Sequence, residues 1–176
     1  MNLLLWRHAD AEEGFPDVQR KLSAQGEQQA RQVAAWVARH APHDLRLVCS
    51  PAQRCQQTAQ ALSDLLGRPF EIDARLDTRA SALQLLAVAS EAQAEKLPAS
   101  SVLLVGHQPT LGQLAAYLLA GEEAEWTVKK GALWWFSCTK LVTNAFFSSA
   151  GRVTLQAMIV PEFCQSPNVT PTQSKE

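Results

Sequence analysis

The sequence predicts a three-layer α/β/α sandwich around a mostly parallel central sheet. Short apolar runs alternate with helix-length segments through the first two thirds of the chain, and the last third changes to consecutive strands. The runs are apolar throughout rather than alternating, as in strands covered on both faces. A βαβαβαβα order followed by strands is the signature of an α/β sandwich.

The elements can be placed in turn. Leu3-Leu4-Leu5-Trp6 reads as the first strand, Leu45-Arg46-Leu47-Val48-Cys49 as the second, the weaker Phe70-Glu71-Ile72 as the third and Ser101-Val102-Leu103-Leu104-Val105 as the fourth. Between the first two, Ala30, Val33, Ala34 and Val37 recur at helical spacing, with Ser23 placed to cap the helix. Pro51 suits a first helical position, followed by Cys55, Ala59, Leu62 and Leu66 on one stripe. Ser81 to about Glu95 favours helix by propensity, and Pro109 opens a further helix with Leu111, Leu114, Ala115 and Leu118 on its apolar face, stopped by Gly121. Gly131–Ser137 and Val153–Val160 read as strands, with a turn in Ser148-Ser149-Ala150-Gly151 between them. A length of 176 residues suits a single domain, expected over residues 1–163, with the polar 164–176 segment a disordered tail.

Composition narrows the function classes. Lys plus Arg total 16 against 17 Asp plus Glu, so the basic excess expected of a nucleic-acid or membrane-surface binder is missing. The longest apolar runs, Leu3–Trp6 and Ala132–Phe136, fall far short of the roughly 20 residues that span a bilayer. Arg7 and His8 interrupt the N-terminal apolar stretch, which argues against a secretory signal. A cytoplasmic protein is expected. Cys49, Cys55, Cys138 and Cys164 lack zinc-site or disulfide-scaffold spacing, and Cys49 and Cys55 read as core. His40 and His43 read as surface residues, and the tryptophans as core and sheet packing.

Chemistry gathers at three strand ends. Trp6 is followed by Arg7-His8, Cys49 by Ser50-Pro51-Ala52-Gln53-Arg54, and Val105 by Gly106-His107-Gln108-Pro109. In an open parallel sheet the carboxyl ends of the strands share one edge, where ligands bind. Two arginines and two histidines therefore converge on one rim, with Arg54 reaching back from the first turn of its helix. A histidine at one strand end is ordinarily structural, and an arginine on a helix ordinarily a surface charge; it is their joint placement that points to a site. Arginine offers donors matched to phosphate or carboxylate oxygens, and helix N-termini add positive dipole ends. Phosphate is the natural anion. One neutral imidazole could attack phosphorus while the other, protonated, stabilises charge on the equatorial oxygens. The acidic rosette and GxxxxGK[ST] loop of magnesium-dependent chemistry are missing, so a metal-free covalent route without cofactor is expected.

The chain resembles the histidine phosphatase superfamily, and within it the short SixA-type phosphohistidine phosphatases. The resemblance runs through Leu4-Leu5-Trp6-Arg7-His8-Ala9-Asp10-Ala11, Arg20-Lys21-Leu22-Ser23-Ala24-Gln25-Gly26, Ser50-Pro51-Ala52-Gln53-Arg54-Cys55-Gln56-Gln57-Thr58-Ala59 and Val105-Gly106-His107-Gln108-Pro109, in order and in register. It implies a phosphoglycerate mutase-like fold, with His8 as the nucleophile that becomes phosphohistidine and its other ring nitrogen held by a backbone carbonyl. It implies a phosphate pocket of Arg7, Arg54 and His107, with Arg20 as an additional basic residue binding substrate. Ala9 stands where Gly is commoner, and Asp73-Ala74-Arg75-Leu76-Asp77-Thr78 has no clear match to the Glu general acid of ester-cleaving members. An alkoxide leaving group needs a positioned acid, worth about 10²–10⁴ in rate, whereas imidazole leaves neutral once protonated.

The implied substrate is therefore a phosphorylated histidine-containing protein, or a small phosphorylated compound, taken at a rim that no long insertion covers. Nucleic acid and membrane are not expected partners. One alternative is a broad phosphomonoesterase of the same fold with Asp77 or Asp73 as general acid; another is a non-catalytic phosphate- or phosphoprotein-binding module. A phosphoglycerate mutase-like transferase is disfavoured by the short chain.

Overall fold

The computed structural model of the protein describes residues 1–94, 101–139 and 153–164. Six strands form one sheet. They are β1 (Asn2–Arg7), β2 (Leu45–Cys49), β3 (Glu71–Ile72), β4 (Ser101–Gly106), β5 (Leu133–Cys138) and β6 (Val153–Ile159). Their spatial order is β3-β2-β4-β1-β5-β6. The first four run parallel, and β5 and β6 are added antiparallel at one edge.

Helices cover both faces, because the apolar strands present side chains alternately to each. Leu4, Trp6, Leu47, Cys49, Leu103 and Val105 pack under α1 (Ala24–His40) and α2 (Gln53–Leu66). Leu3, Leu5, Val48, Val102 and Leu104 pack under α3 (Ala82–Ala94) and α4 (Thr110–Ala120). This is the expected three-layer, mostly parallel sandwich.

The local signals mostly act as anticipated. The Ser23 hydroxyl accepts from the Gly26 N–H at 3.0 Å, capping α1, and Ala30, Val33, Ala34 and Val37 are buried. Gly121 ends α4 in the left-handed region, at φ 83°. The first turn of α2 differs from expectation. It starts at Gln53 with Ala52 as N-cap, because the Ser50 hydroxyl takes the Ala52 N–H and holds Pro51 in a turn. β3 is reduced to two residues. Only Trp6 of the tryptophans is fully buried; Trp36, Trp126, Trp134 and Trp135 are half-buried.

Cys49, Cys55, Cys138 and Cys164 are all free thiols. Among the described residues no helix is long and apolar enough to cross a membrane. The turn expected at Ser148–Gly151 and the tail from residue 165 onward lie outside the described residues.

Two features carry the fold to the site. Parallel pairing puts the ends of β1, β2 and β4 level, with Arg7 opposite Gly106 and Cys49 opposite Val105. The segment leaving β1 is pinned to the start of α1: Asp10 O accepts from Ser23 N at 3.1 Å, and the Ser23 hydroxyl donates to Asp10 Oδ2 at 2.7 Å. A side chain at Gly26 would place its Cβ 1.9 Å from Asp10 O, so only glycine permits this approach.

Candidate active site

The carboxyl ends of β1 and β4 bring His8 and His107 side by side. The backbone N–H of His8 donates to Gly106 O at 3.1 Å, and the ring centroids lie 5.3 Å apart at a tilt of 58°. Both rings are buried. Arg54, in the first turn of α2, is only 4% exposed and lies against both. Its Nε–H donates to His8 Nε2 at 3.3 Å and its Nη2 to His107 Nδ1 at 3.4 Å.

These contacts fix the imidazole tautomers. His8 Nδ1 lies 2.8 Å from Ala9 O, which can only accept, so Nδ1 carries the proton and Nε2 presents its lone pair. His107 accepts at Nδ1, so its Nε2–H donates to the Ser50 hydroxyl at 2.8 Å. Thr58 completes the support: its hydroxyl accepts from Ala9 N at 3.2 Å and donates to Arg54 O at 2.7 Å. One side chain thereby ties the peptide orienting His8 to the turn carrying Arg54.

Arg7 approaches from the end of β1. Its Nη1 donates to Val128 O at 2.7 Å, while its Nε is buried without a hydrogen-bond partner among the described residues. A buried donor left unmade costs about 1–3 kcal/mol, and an arriving anion would remove that penalty. Burial lowers the Arg7 pKa.

Both imidazoles are neutral at pH 7. Burial, joined by His107, Arg54 and Arg7, pushes the His8 pKa down to about 3 against the opposing pull of the Ala9 carbonyl. Burial and Arg54 push His107 down to about 4, with Asp77 and Asp17 acting the other way. Desolvation beside cations disfavours imidazolium, and only the negative charge of a bound anion would restore it.

Arg20 stands apart from this group. Its Nε donates to Glu12 O at 2.7 Å, its Nη1 to Asp17 Oδ1 at 3.1 Å, and its Nη2 lies 3.6 Å from Glu13 Oε1. It reaches the site through Asp17, whose Oδ2 accepts from Arg54 Nη2 at 2.9 Å and whose carbonyl accepts from Arg54 Nη1 at 2.7 Å. Asp17 is not legible in the sequence, because no spacing rule marks a loop aspartate that meets α2 only in the fold. Thr58 could have been found, since it lies one helical turn beyond Arg54 on the same face.

The two carboxylates weighed as general acids separate clearly. Asp73 receives Arg75 Nη2 at 2.7 Å and the Arg75 backbone N–H at 2.8 Å. The Arg75 guanidinium holds its pKa below the usual carboxylate value, the opposite of what a proton donor needs, so Asp73 is removed from that role. Asp77 remains, with its charge felt at His107. Cys55 lies 3.6 Å from His107 Nε2, but burial pushes its thiol far up, which leaves it inert. Among the described residues no group of three or more His, Cys, Asp or Glu side chains gathers as a metal site would require.

A mostly parallel α/β sandwich whose strand ends present an unprotonated imidazole nitrogen beside a buried arginine defines an enzyme built to handle a tetrahedral oxyanion. The chain belongs to the histidine phosphatase superfamily and is a phosphatase hydrolase. It matches the model of the histidine phosphatase superfamily (branch 1) over residues 3–82. It is 30% identical over 129 residues to the phosphohistidine phosphatase SixA of Escherichia coli (strain K12), covering 69% of this chain and 76% of that protein.

Among solved structures it is similar to the protein histidine phosphatase SixA complexed with tungstate. There the TM-score is 0.78 at 24% identity, covering 94% of this chain and all of that one. The structure described as a phosphohistidine phosphatase SixA from Agrobacterium tumefaciens gives a TM-score of 0.71 at 24% identity, over 91% of this chain and 97% of that one. These likenesses agree with the phosphoglycerate mutase-like fold that the motifs imply.

Proposed function

We propose that the protein is a phosphohistidine phosphatase that works through a phosphoryl group carried on His8. The observation that carries this reading is the fixed tautomer of His8, with Nδ1–H on Ala9 O and the Nε2 lone pair turned toward Arg54 and His107. An unprotonated, buried, cation-flanked nitrogen is a nucleophile for phosphorus.

The steps follow from the residues. His8 Nε2 forms a bond to phosphorus as the bond from phosphorus to the substrate imidazole nitrogen breaks; that nitrogen takes a proton and leaves as neutral imidazole. Arg7 and Arg54 stabilise negative charge on the equatorial oxygens, and His107, made cationic by the bound anion, joins them. Water then attacks phosphorus on the far side, His8 Nε2 departs with its lone pair, and phosphate is released. Tungstate bound to the related SixA is a tetrahedral oxyanion of the same kind.

The substrate class rests on two observations. With Asp73 bound to Arg75, proton donation to an alkoxide has lost one of its two candidates. The rim also carries Phe15, 98% exposed, and Val18, 46% exposed, on either side of Asp17. Apolar groups beside a charged pit suit a phosphorylated protein substrate better than a small sugar phosphate.

The test compares three substrates with one enzyme preparation: a histidine-phosphorylated phosphotransfer protein, p-nitrophenyl phosphate and a sugar phosphate. The reading expects kcat/KM for the phosphoprotein to exceed the esters by at least 10²-fold. Equal or better ester hydrolysis, abolished selectively by Asp77→Asn, would assign the protein to ester cleavage instead.

A further inference from the structure

The Arg54 guanidinium has two faces, and the structure uses them differently. The edge formed by Nε and Nη2 faces His8 and His107. The edge formed by Nη1 and Nη2 is taken by Asp17, through its carbonyl at 2.7 Å and its Oδ2 at 2.9 Å. The second carboxylate oxygen of Asp17 is held by Arg20 Nη1 at 3.1 Å, and the Arg20 backbone N–H donates to Asp17 O at 3.2 Å. The turn itself, residues Asp17–Gln19, is fastened by Arg20 Nε on Glu12 O, and its neighbour Leu22 N–H donates to Gln57 Oε1 at 2.8 Å.

We propose that Asp17 is a positioning residue that fixes Arg54 with its side edge aimed at the two imidazoles, and that Arg20 acts through Asp17 rather than by touching the phosphoryl group. This rests on reading the pit as the phosphoryl site. A bidentate clamp on one edge of a guanidinium removes its freedom to rotate, so the other edge meets the transferring phosphoryl group already oriented. Asp17 does not occupy the edge the anion needs, so it orients the arginine instead of blocking it. The hydrogen bonds and ion pairs of the Arg20 side chain among the described residues go to Glu12, Glu13 and Asp17 of its own loop, which suits an anchor.

The experiment measures orthovanadate inhibition, whose five-coordinate adduct on an imidazole resembles the transition state, alongside kcat and KM on a small phosphoramidate. The proteins are wild type, Asp17→Ala, Asp17→Asn, Arg20→Ala and the Asp17→Ala/Arg20→Ala double variant. A loss of folded protein alone would lower kcat without moving the vanadate inhibition constant. The proposal expects Asp17→Ala to weaken vanadate at least tenfold and to lower kcat by about 10–10²-fold, since small misplacements cost that much. Asp17→Asn recovers the larger part, because its amide oxygen still accepts from Arg54. Arg20→Ala costs less, and the double variant is no worse than Asp17→Ala, as expected of residues acting in series.

Unchanged or tighter vanadate binding in Asp17→Ala would overturn the proposal while leaving the pit intact. So would additive losses in the double variant, which would place Arg20 on the anion itself. Wild-type protein that neither binds vanadate nor turns over would refute the reading of the pit, and the proposal with it.

Discussion

Arg54 donates its Nε–H to His8 Nε2 across 3.3 Å, so the nitrogen that would bond phosphorus is held as an acceptor by the residue that would also bind the phosphoryl oxygens. The same arginine meets His107, and its helix is joined by Thr58 to the peptide that orients His8. His8, Arg54, His107 and Thr58 thus form one connected hydrogen-bonded unit that joins the ends of β1 and β4 to α2. Changes to one member should be felt at the others.

The first prediction concerns protonation. Nitrogen-15 NMR of the ligand-free protein should show both His8 and His107 neutral from pH 8 down to about 5, with the proton of His8 on Nδ1. Their folded pKa values, about 3 and about 4, lie below the unfolded value near 6.5. Between those limits the unfolded chain binds more protons, so stability is full above about pH 6.5 and falls as the pH drops, by up to ~1.4 kcal/mol per pH unit for each ring. His8→Gln should flatten that decline in urea unfolding. Titration of His8 near 6.5 would contradict the assignment.

A second prediction isolates the link between strand and helix. Thr58→Val keeps the shape but removes the hydroxyl, leaving the buried Ala9 N–H without its partner. A group unpaired in this way costs about 1–3 kcal/mol. Urea unfolding should show a lower midpoint at an unchanged slope, and kcat should fall more than KM rises. Wild-type values for both would mean that the Thr58 bridge is dispensable.

The third prediction separates macromolecular from small substrates. Phe15 is exposed on the rim and makes no part of the core. Phe15→Ser should raise KM for a histidine-phosphorylated protein severalfold and leave kcat/KM for a small phosphoramidate within about twofold. Equal effects on both substrates would remove the rim from protein recognition.

Much of this arrangement is legible in the sequence, and the reasons are local. Continuous apolar runs such as Val102-Leu103-Leu104-Val105 mark strands buried on both faces, and their polar successors mark the sheet edge where His8, Arg54 and His107 meet. Ser23 declares the start of α1 because its hydroxyl has one obvious use.

Other features depend on contacts distant in the chain. Asp17 reaches Arg54 only because the turn at Asp17–Gln19 folds over α2, and no periodicity encodes that. Asp73 reads as a free carboxylate until Arg75 is seen to bind it. The charge state of His107 follows from burial beside Arg54, which composition does not report.

The most direct test of the account is to trap the covalent intermediate. Protein mixed with a radiolabelled phosphoramidate or phosphoprotein and quenched in alkali within milliseconds should carry an acid-labile, alkali-stable phosphoryl group on His8 at Nε2. That group should be absent from His8→Ala, which should also lose turnover. Turnover without any phosphorylated enzyme, label on another residue, or undiminished activity in His8→Ala would contradict it.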